Sequence, residues 1–384
     1  MAYKKAVSPK PMPPRPPEIA PASLGFHMPA EWEPHEATWI CWPHNKGDWP
    51  GKFAPIPWVY GEIIRRITPG EKIRCLTTSS MNEVQAQKVL TRVGVDETQI
   101  QFLRIPTNRG WTRDLGPIFL RPLRQPASPA ASEQGAGPNG ADDRAIVRFH
   151  FNGWAKYPDW RLDRGVPERA AQALACRLFS ARAGERDFVL EGGAIDVNGL
   201  GTVLTTEECL LDQVTQARNP GMDKNEIEAA LRNNLGVTNV LWLGRGIAGD
   251  DTHGHVDDVC RFVGPRTVVL CREGDSSDAN YQPLGENRER LESARLEDGS
   301  KVQVATLPMP APLYFDGQRV PASYANFYIS NNAVLVPTFN DPNDRIALGT
   351  LAELIPDRPV IGIHAVDLVW GLGTIHCMTQ QQPA

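Results

Sequence analysis

Cys377 stands near the end of a 384-residue chain, in the stretch GLGTIHCMTQQQPA, directly after His376 and a run rich in glycine. A cysteine nucleophile acts as its thiolate, which a nearby histidine or positive charge must favour. Histidines are on offer elsewhere. In GDDTHGHVDDVCRFV, His253, His255 and Asp257 alternate, so on a strand all three side chains would leave from one face. Burying two histidines and an aspartate together is costly without a purpose.

Two purposes fit. One is a metal: T-H-x-H-x-D is similar to the opening of a dinuclear hydrolase motif, and histidine with carboxylate suits zinc. That motif wants a further histidine where this chain has Asp258, and His150, His364 and His376 stand at no ligand spacing. The other purpose involves Cys377. A guanidinium is planar, stays protonated at neutral pH and offers only donors, so it calls for carboxylates in bidentate contact. Asp257 could supply one and Asp114, in NRGWTRDLGP beside Trp111 and Arg113, another. Attack on the guanidinium carbon needs a soft nucleophile, a proton donor for departing ammonia and a base for the incoming water. Cysteine, histidine and glutamate would serve. Glu191 precedes two glycines in LEGGAIDVNG, where the backbone can turn sharply or come close to something. Taken singly, Asp114 and Glu191 also read as ordinary turn residues.

Something must bring these residues together, and a cassette of strand, tight turn and strand recurs behind each of them. It reads RDLGPIFL with AIVRFHF, EGGAIDVNGLGTVLTT, HVDDVCRFVGPRTVVL and YANFYISNNAVLVPTF. The turns NGLG, GPR and NN carry residues that hairpin reversals favour. PERAAQALACRLFSA and KNEIEAALRNNLG have amphipathic helical spacing, the second ending on glycine, and VTNVLWLG follows as a further strand. The anchors Asp114, Glu191, Asp257, Asn326 and Cys377 are 77, 66, 69 and 51 residues apart. Such uneven spacing is weak as a sequence repeat, yet it predicts a pseudo-symmetric α/β array whose strand ends converge on one place. Two low-complexity stretches fall outside the pattern: a proline-rich start over residues 1–22, expected to be disordered, and residues 123–144, expected to be a mobile insertion at a hairpin tip.

Composition sets the outer limits. Hydrophobic residues at 41% and charged residues at 22% describe a globular chain with enough length for one large domain or two. The formal net charge of -5 leaves no basic footprint for nucleic acid. Seven cysteines without C-x-x-C pairs suggest neither a disulfide framework nor a zinc ribbon, and reduced thiols point to the cytoplasm. The first residues lack the apolar stretch of a secretory signal, and no run of apolar residues is long enough to span a membrane.

With these motifs in hand, the chain resembles the agmatine deiminase family, which includes the bacterial peptidylarginine deiminases. The likeness runs from MPAEWEPHEATWICWP to IHCMTQQQP and rests on WTRDLGP, FNGWAKY, LEGGAIDVNG, DDTHGHVDD, NDPND and GLGTIHCMTQQQP. It implies the α/β-propeller (pentein) fold of the guanidino-group modifying enzymes, five ββαβ modules around a central site, as a single catalytic domain over 23–384. It also implies Cys377 as nucleophile, His255 as general base with Glu191 as its partner, Asp114 and Asp257 as the guanidinium-binding pair, and Trp111 as an aromatic wall. Agmatine would pass through a covalent thiouronium to N-carbamoylputrescine, on the way to putrescine and the polyamines. No metal or organic cofactor is implied, and a homodimer or higher oligomer is.

The chain departs from the family's usual patterns at three places. His253 and Asp258 flank the His255-Val256-Asp257 core where N-G-H-V/I-D-N is usual; Leu372 replaces a glycine of G-G-G-x-I-H-C; FNGWAKYPDW replaces F-N-A-W-G-G. These neighbour the expected catalytic positions and bear on the substrate's tail. His376 is expected to point away from the site, on the opposite face of a last strand that carries Cys377. A deiminase of another guanidino compound or of peptidyl-arginine, a metal-dependent hydrolase and a binding protein without turnover remain the alternatives.

Overall fold

The structure is a computed structural model that describes residues 19–123 and 143–384. The proline-rich start and the expected insertion therefore lie outside the described residues, apart from their edges at 19–22, 123 and 143–144. Pro21–Leu24 already form a 3-10 turn with Pro21 buried.

Five sheets of three or four strands repeat one order: an antiparallel pair, a helix, then a third strand parallel to the second. Ile118–Pro122 pairs antiparallel with Ala145–Arg148, and after the helix Val166–Leu174 the strand Arg177–Ser180 joins in parallel. Asp196–Val197, Thr202–Thr206 and Asn239–Leu243 repeat this around the helix Lys224–Leu235. Cys260–Gly264, Thr267–Arg272 and Gln303–Pro308 repeat it around Tyr281–Ser293. Tyr328–Ile329, Val334–Thr338 and Val360–His364 repeat it around Pro342–Leu354. The fifth sheet joins the two ends of the sequence. Its antiparallel pair is Thr379–Pro383 with His35–Cys41, and Lys72–Thr77 then follows in parallel after the helix Ile56–Ile67. The fold is mixed α/β, as expected.

Local chemistry explains most boundaries. Asp223 with Glu226 and Asp341 with Asp344 form capping boxes that satisfy the free amides starting two of the helices. Gly236, at φ 68°, ends the first of these in the left-handed conformation that glycine tolerates best. Central strands such as Val334–Thr338 are almost wholly buried, so they read as continuous apolar runs rather than alternating ones. Helix Ile56–Ile67 buries Ile63, Ile64 and Ile67 completely, each burial stabilising by about 1.5–3 kcal/mol.

Three local expectations are corrected. PERAAQALACRLFSA is not one helix: it stops at Leu174, where Ala175 turns left-handed at φ 50°, and Arg177–Ser180 is the parallel strand. The His253–Asp257 stretch is not a strand. His253 and Gly254 have φ 66° and 87°, which breaks the alternation, and Val256–Asp258 is a 3-10 turn. Cys377 likewise sits on a short helical turn, Ile375–Met378, before the last strand rather than on it.

Candidate active site

Asp114, Glu191, Asp257, Asn326 and Cys377 each stand shortly before the first strand of one of the five sheets. Asp114 lies on the turn Thr112–Leu115, Glu191 opens the 3-10 turn Gly192–Ala194, and Asp257 lies on Val256–Asp258. Contacts among these residues run between sheets, as side chains meeting at a shared centre would.

His255 is fully buried at the middle of the group. Its Nε2 lies 3.5 Å from Glu191 Oε2, and its Nδ1 lies 3.8 Å from Asp114 Oδ1 and 4.0 Å from Asp257 Oδ1. Neither ring nitrogen has a hydrogen-bond partner among the described residues, and neither has Asp257 Oδ1. The other acceptors are held. Arg218 Nε donates to both oxygens of Glu191 at 3.1 and 3.3 Å. Asp114 accepts from the Gly193 amide at 3.0 Å and from Trp154 Nε1 at 2.9 Å. A Cβ on Gly193 would fall 2.5 Å from His255 Nδ1, so the close approach of these groups requires glycine there.

Cys377 Sγ accepts from Asn326 Nδ2 at 3.1 Å and lies 3.7 Å from Asp257 Oδ2. Asn326 is fixed in turn: its Oδ1 accepts from Thr374 Oγ1 at 2.7 Å and the His376 amide at 3.0 Å, while Nδ2 also reaches Asp258 Oδ1 at 2.9 Å. The carboxamide can point its N–H groups only toward the thiol and Asp258. A pocket with about 210 Å³ of room reaches Cys377 and Asp114 and runs outward past Trp111, Trp154, Tyr157 and Trp370.

The site carries an excess of carboxylate, and its charges feel it. Burial pushes the Cys377 thiol well above its ordinary range, and Asp257, Asp258 and Asp114 push it further. Burial works against a charged His255, yet the Asp114 carboxylate and the contacts to Cys209 and Glu191 hold its pKa well above normal. Burial lifts Asp114 to about 6 despite the attraction of His255. In Asp257 burial is outweighed by His376, His255 and Arg261, and in Glu191 by Arg218 and His255, so both carboxylates are held low. The pocket reaches Asp114 and Cys377, where a flat cation would meet carboxylate. Such a cation would also relieve the penalty on a Cys377 thiolate.

All six expected residues are thus brought together: Cys377, Asp114 and Trp111 line the pocket, and His255, Glu191 and Asp257 lie buried in contact with them. Two other histidines differ from expectation. His376 does not point away; a helical turn sends it inward, with Nδ1 2.7 Å from Asp257 Oδ2 and Nε2 2.9 Å from Glu31 Oε2. His253 leaves the group and bonds Asp212 at 2.8 Å, so the alternating trio does not form a ligand set. Among the described residues, Glu191, Cys209 and His255 place ligand-type atoms within 4.8 Å of one another. Both Glu191 oxygens accept from Arg218 Nε there. Asn326, Arg218, Glu31 and Trp154 received no role from sequence reasoning. Asn326 had a signal in its place in the repeated cassette, and Trp154 and Glu31 stand in the stretches FNGWAKY and MPAEWEPHEATWICWP.

The Porphyromonas-type peptidyl-arginine deiminase family matches this chain over residues 27–383. An agmatine deiminase of Medicago truncatula is 36% identical, with 96% of this chain and 99% of that protein aligned. One from Ectopseudomonas mendocina is 33% identical over 95% of this chain and 97% of its own length. The solved structure of the Enterococcus faecalis agmatine deiminase superimposes with a TM-score of 0.82 at 30% identity, covering 95% of this chain and 97% of that one. The chain belongs to the agmatine deiminase family, among the Porphyromonas-type peptidyl-arginine deiminases, and is a hydrolase of guanidino C–N bonds.

Proposed function

We propose that the protein hydrolyses agmatine to N-carbamoylputrescine and ammonia, with Cys377 as nucleophile. The observation that carries this reading is the set of unpartnered buried atoms, His255 Nδ1 and Nε2 with Asp257 Oδ1, gathered beside Asp114 and the Cys377 thiol. Buried polar groups are normally satisfied, so a group of bare ones marks a place for a polar ligand. Asp114 and Asp257 would hold the guanidinium, and its positive charge would let the thiol ionise between them.

The thiolate then attacks the guanidinium carbon. A carbon–nitrogen bond breaks, ammonia leaves with a proton from His255, and a covalent thiouronium remains on Cys377. Water adds to that carbon as His255 takes its proton back, and the carbon–sulfur bond breaks to release the urea product and the thiolate. Glu191, anchored by Arg218, keeps His255 oriented, and Asn326 steadies the sulfur by one N–H. The five sheets would be the five blades of the propeller, which explains why one residue before each blade contributes to the centre. The setting would be cytoplasmic polyamine supply, with a homo-oligomer as the working form; no helix among the described residues is long and apolar enough to cross a membrane.

The test is ammonia and N-carbamoylputrescine release from agmatine by purified protein with a chelator present. Sustained stoichiometric release supports the reading. Turnover that stops with the chelator and survives Cys377→Ser would replace it with a metal hydrolase.

A further inference from the structure

One buried acid of the centre stands apart from the others. Glu191 has Arg218 at 3.1 Å, Asp257 has His376 at 2.7 Å, and Asp114 has His255 at 3.8 Å. Asp258 is only 3% exposed, yet no cationic nitrogen among the described residues lies within 4.0 Å of its carboxyl. Burial, Asp257 on the same turn and Asp250 from the loop before it hold its pKa well above the ordinary range. His255 and the Asn326 N–H pull the other way without overcoming them. A carboxyl buried without a cation keeps its proton rather than bear the cost of a charge.

This acid is tied to the sulfur through one carboxamide. Asp258 Oδ1 accepts from Asn326 Nδ2 at 2.9 Å, and the same nitrogen donates to Cys377 Sγ at 3.1 Å. The two N–H groups of Asn326 are thus divided between one acid and one sulfur. Asn326 Oδ1 is committed to Thr374 and the His376 amide, so the carboxamide cannot turn over. The backbone of Asp258 is pinned as well. Its carbonyl accepts from Ser323 Oγ at 2.7 Å, and that oxygen accepts from the Ala325 amide at 3.1 Å, next to Asn326. A neutral carboxyl suits this place, because its carbonyl oxygen accepts the N–H and sets no further charge beside the sulfur. An ionised one would oppose the thiolate, since Asp258 is among the groups that push the Cys377 thiol up.

We propose that Asp258 is a positioning residue of the reaction, held as the neutral acid, which fixes Asn326 so that its other N–H meets the Cys377 sulfur. This rests on the deiminase reading above. Asp258 neither gives nor takes a proton in the cycle; the proton for ammonia still comes from His255. An asparagine in place of Asp258 would present the same oxygen acceptor and no charge, whereas an alanine would leave one Asn326 N–H bare and the carboxamide free to drift from the sulfur.

The test compares Asp258→Ala with Asp258→Asn in two measurements. With agmatine, Asp258→Ala is expected to lower kcat about tenfold or more while KM stays within about twofold, and Asp258→Asn to recover most of that loss. Equal losses in the two variants, or none in Asp258→Ala, overturn the proposal. The second measurement is the rate at which iodoacetamide alkylates Cys377 at pH 8 without substrate, read by peptide mass spectrometry. A neutral Asp258 predicts the same rate, within about twofold, for the unaltered protein and Asp258→Asn. A faster rate in Asp258→Asn, about tenfold for each unit by which a lost charge lowers the thiol pKa, shows that Asp258 carries a charge and overturns the proposal. Where Asp258→Ala does not fold, this alkylation comparison decides. Failure of the unaltered protein to release ammonia from agmatine overturns the deiminase reading instead, and the positioning role with it.

Discussion

Two groups of buried charge lie side by side in this molecule, divided by His376. On one side Glu31 accepts from Arg113 at 3.2 Å and the Ile329 amide at 2.9 Å, lies 2.9 Å from His376, and forms an ion pair with Arg261 Nη2 at 3.0 Å that is not aligned as a hydrogen bond. Arg113 is further held by Gln381 at 2.8 Å, and Arg261 by Asp196 at 3.1 Å and the Phe327 carbonyl at 2.9 Å. On the other side the His255 ring nitrogens and Asp257 Oδ1 stand near opposite charge but make no hydrogen bond among the described residues. Both groups are equally hidden from water, so burial alone does not distinguish scaffold from site. Satisfaction does: charge that the chain itself completes is structural, and charge left incomplete is prepared for something that arrives.

The sharpest way to break that distinction is Cys377→Ser. It should lower turnover of agmatine by ~10³-fold or more, because a serine hydroxyl there has no comparable nucleophilicity, while the unfolding midpoint barely moves. A large loss of stability would mean that the thiol belongs to the scaffold. Glu31→Gln tests the satisfied side. It removes the negative charge that faces Arg113 and Arg261 and should cost about 3–5 kcal/mol in urea unfolding, with activity falling through the disturbed Asp257. If stability were unaffected, the Glu31 cluster would not be scaffold. Asp257→Asn sits on the divide and should reduce kcat/KM by roughly 10- to 100-fold, the worth of one charged hydrogen bond. Steady-state kinetics decide it, and unchanged values would remove Asp257 from the guanidinium pair.

A smaller effect should follow pH. Asp114 in the folded protein holds its proton up to about 6, beyond the point where the unfolded chain releases it, so the ionised carboxylate costs stability above that pH. A bound cation offsets that cost. KM for agmatine should therefore rise as pH falls below about 6, and a cationic inhibitor should raise the melting temperature more at pH 8 than at pH 5. A flat profile across that window would place the cation elsewhere.

How much of this was legible in advance depends on distance along the chain. The hairpins were readable because NGLG, GPR and NN carry local turn chemistry, and four of the anchors because each precedes its own hairpin, whereas the strand after Cys377 pairs with His35–Cys41. The strand reading of His253–Asp257 failed through positive φ at His253, a conformation that a non-glycine residue does not announce. His376 was misplaced for a related reason: alternation assigns neighbours to opposite faces on a strand, whereas a helical turn let both His376 and Cys377 face inward. Arg218 and Glu31 were invisible because their partners come from distant segments. Buried compensating charge is a property of the assembled fold and leaves no spacing to read.

The pairing of Thr379–Pro383 with His35–Cys41 gives the molecule a seam. Cys377 lies two residues before that seam, and its partners come from segments that precede it in synthesis. A nascent chain can thus complete several sheets and still carry a thiol with no base, no cradle and no reason to react. Under the proposed mechanism chemical competence arrives with closure, when the strand pairing of greatest sequence separation is made. Burial and surrounding carboxylates keep the thiol protonated even then, and under the proposed mechanism only a visitor that brings its own positive charge would make the sulfur reactive.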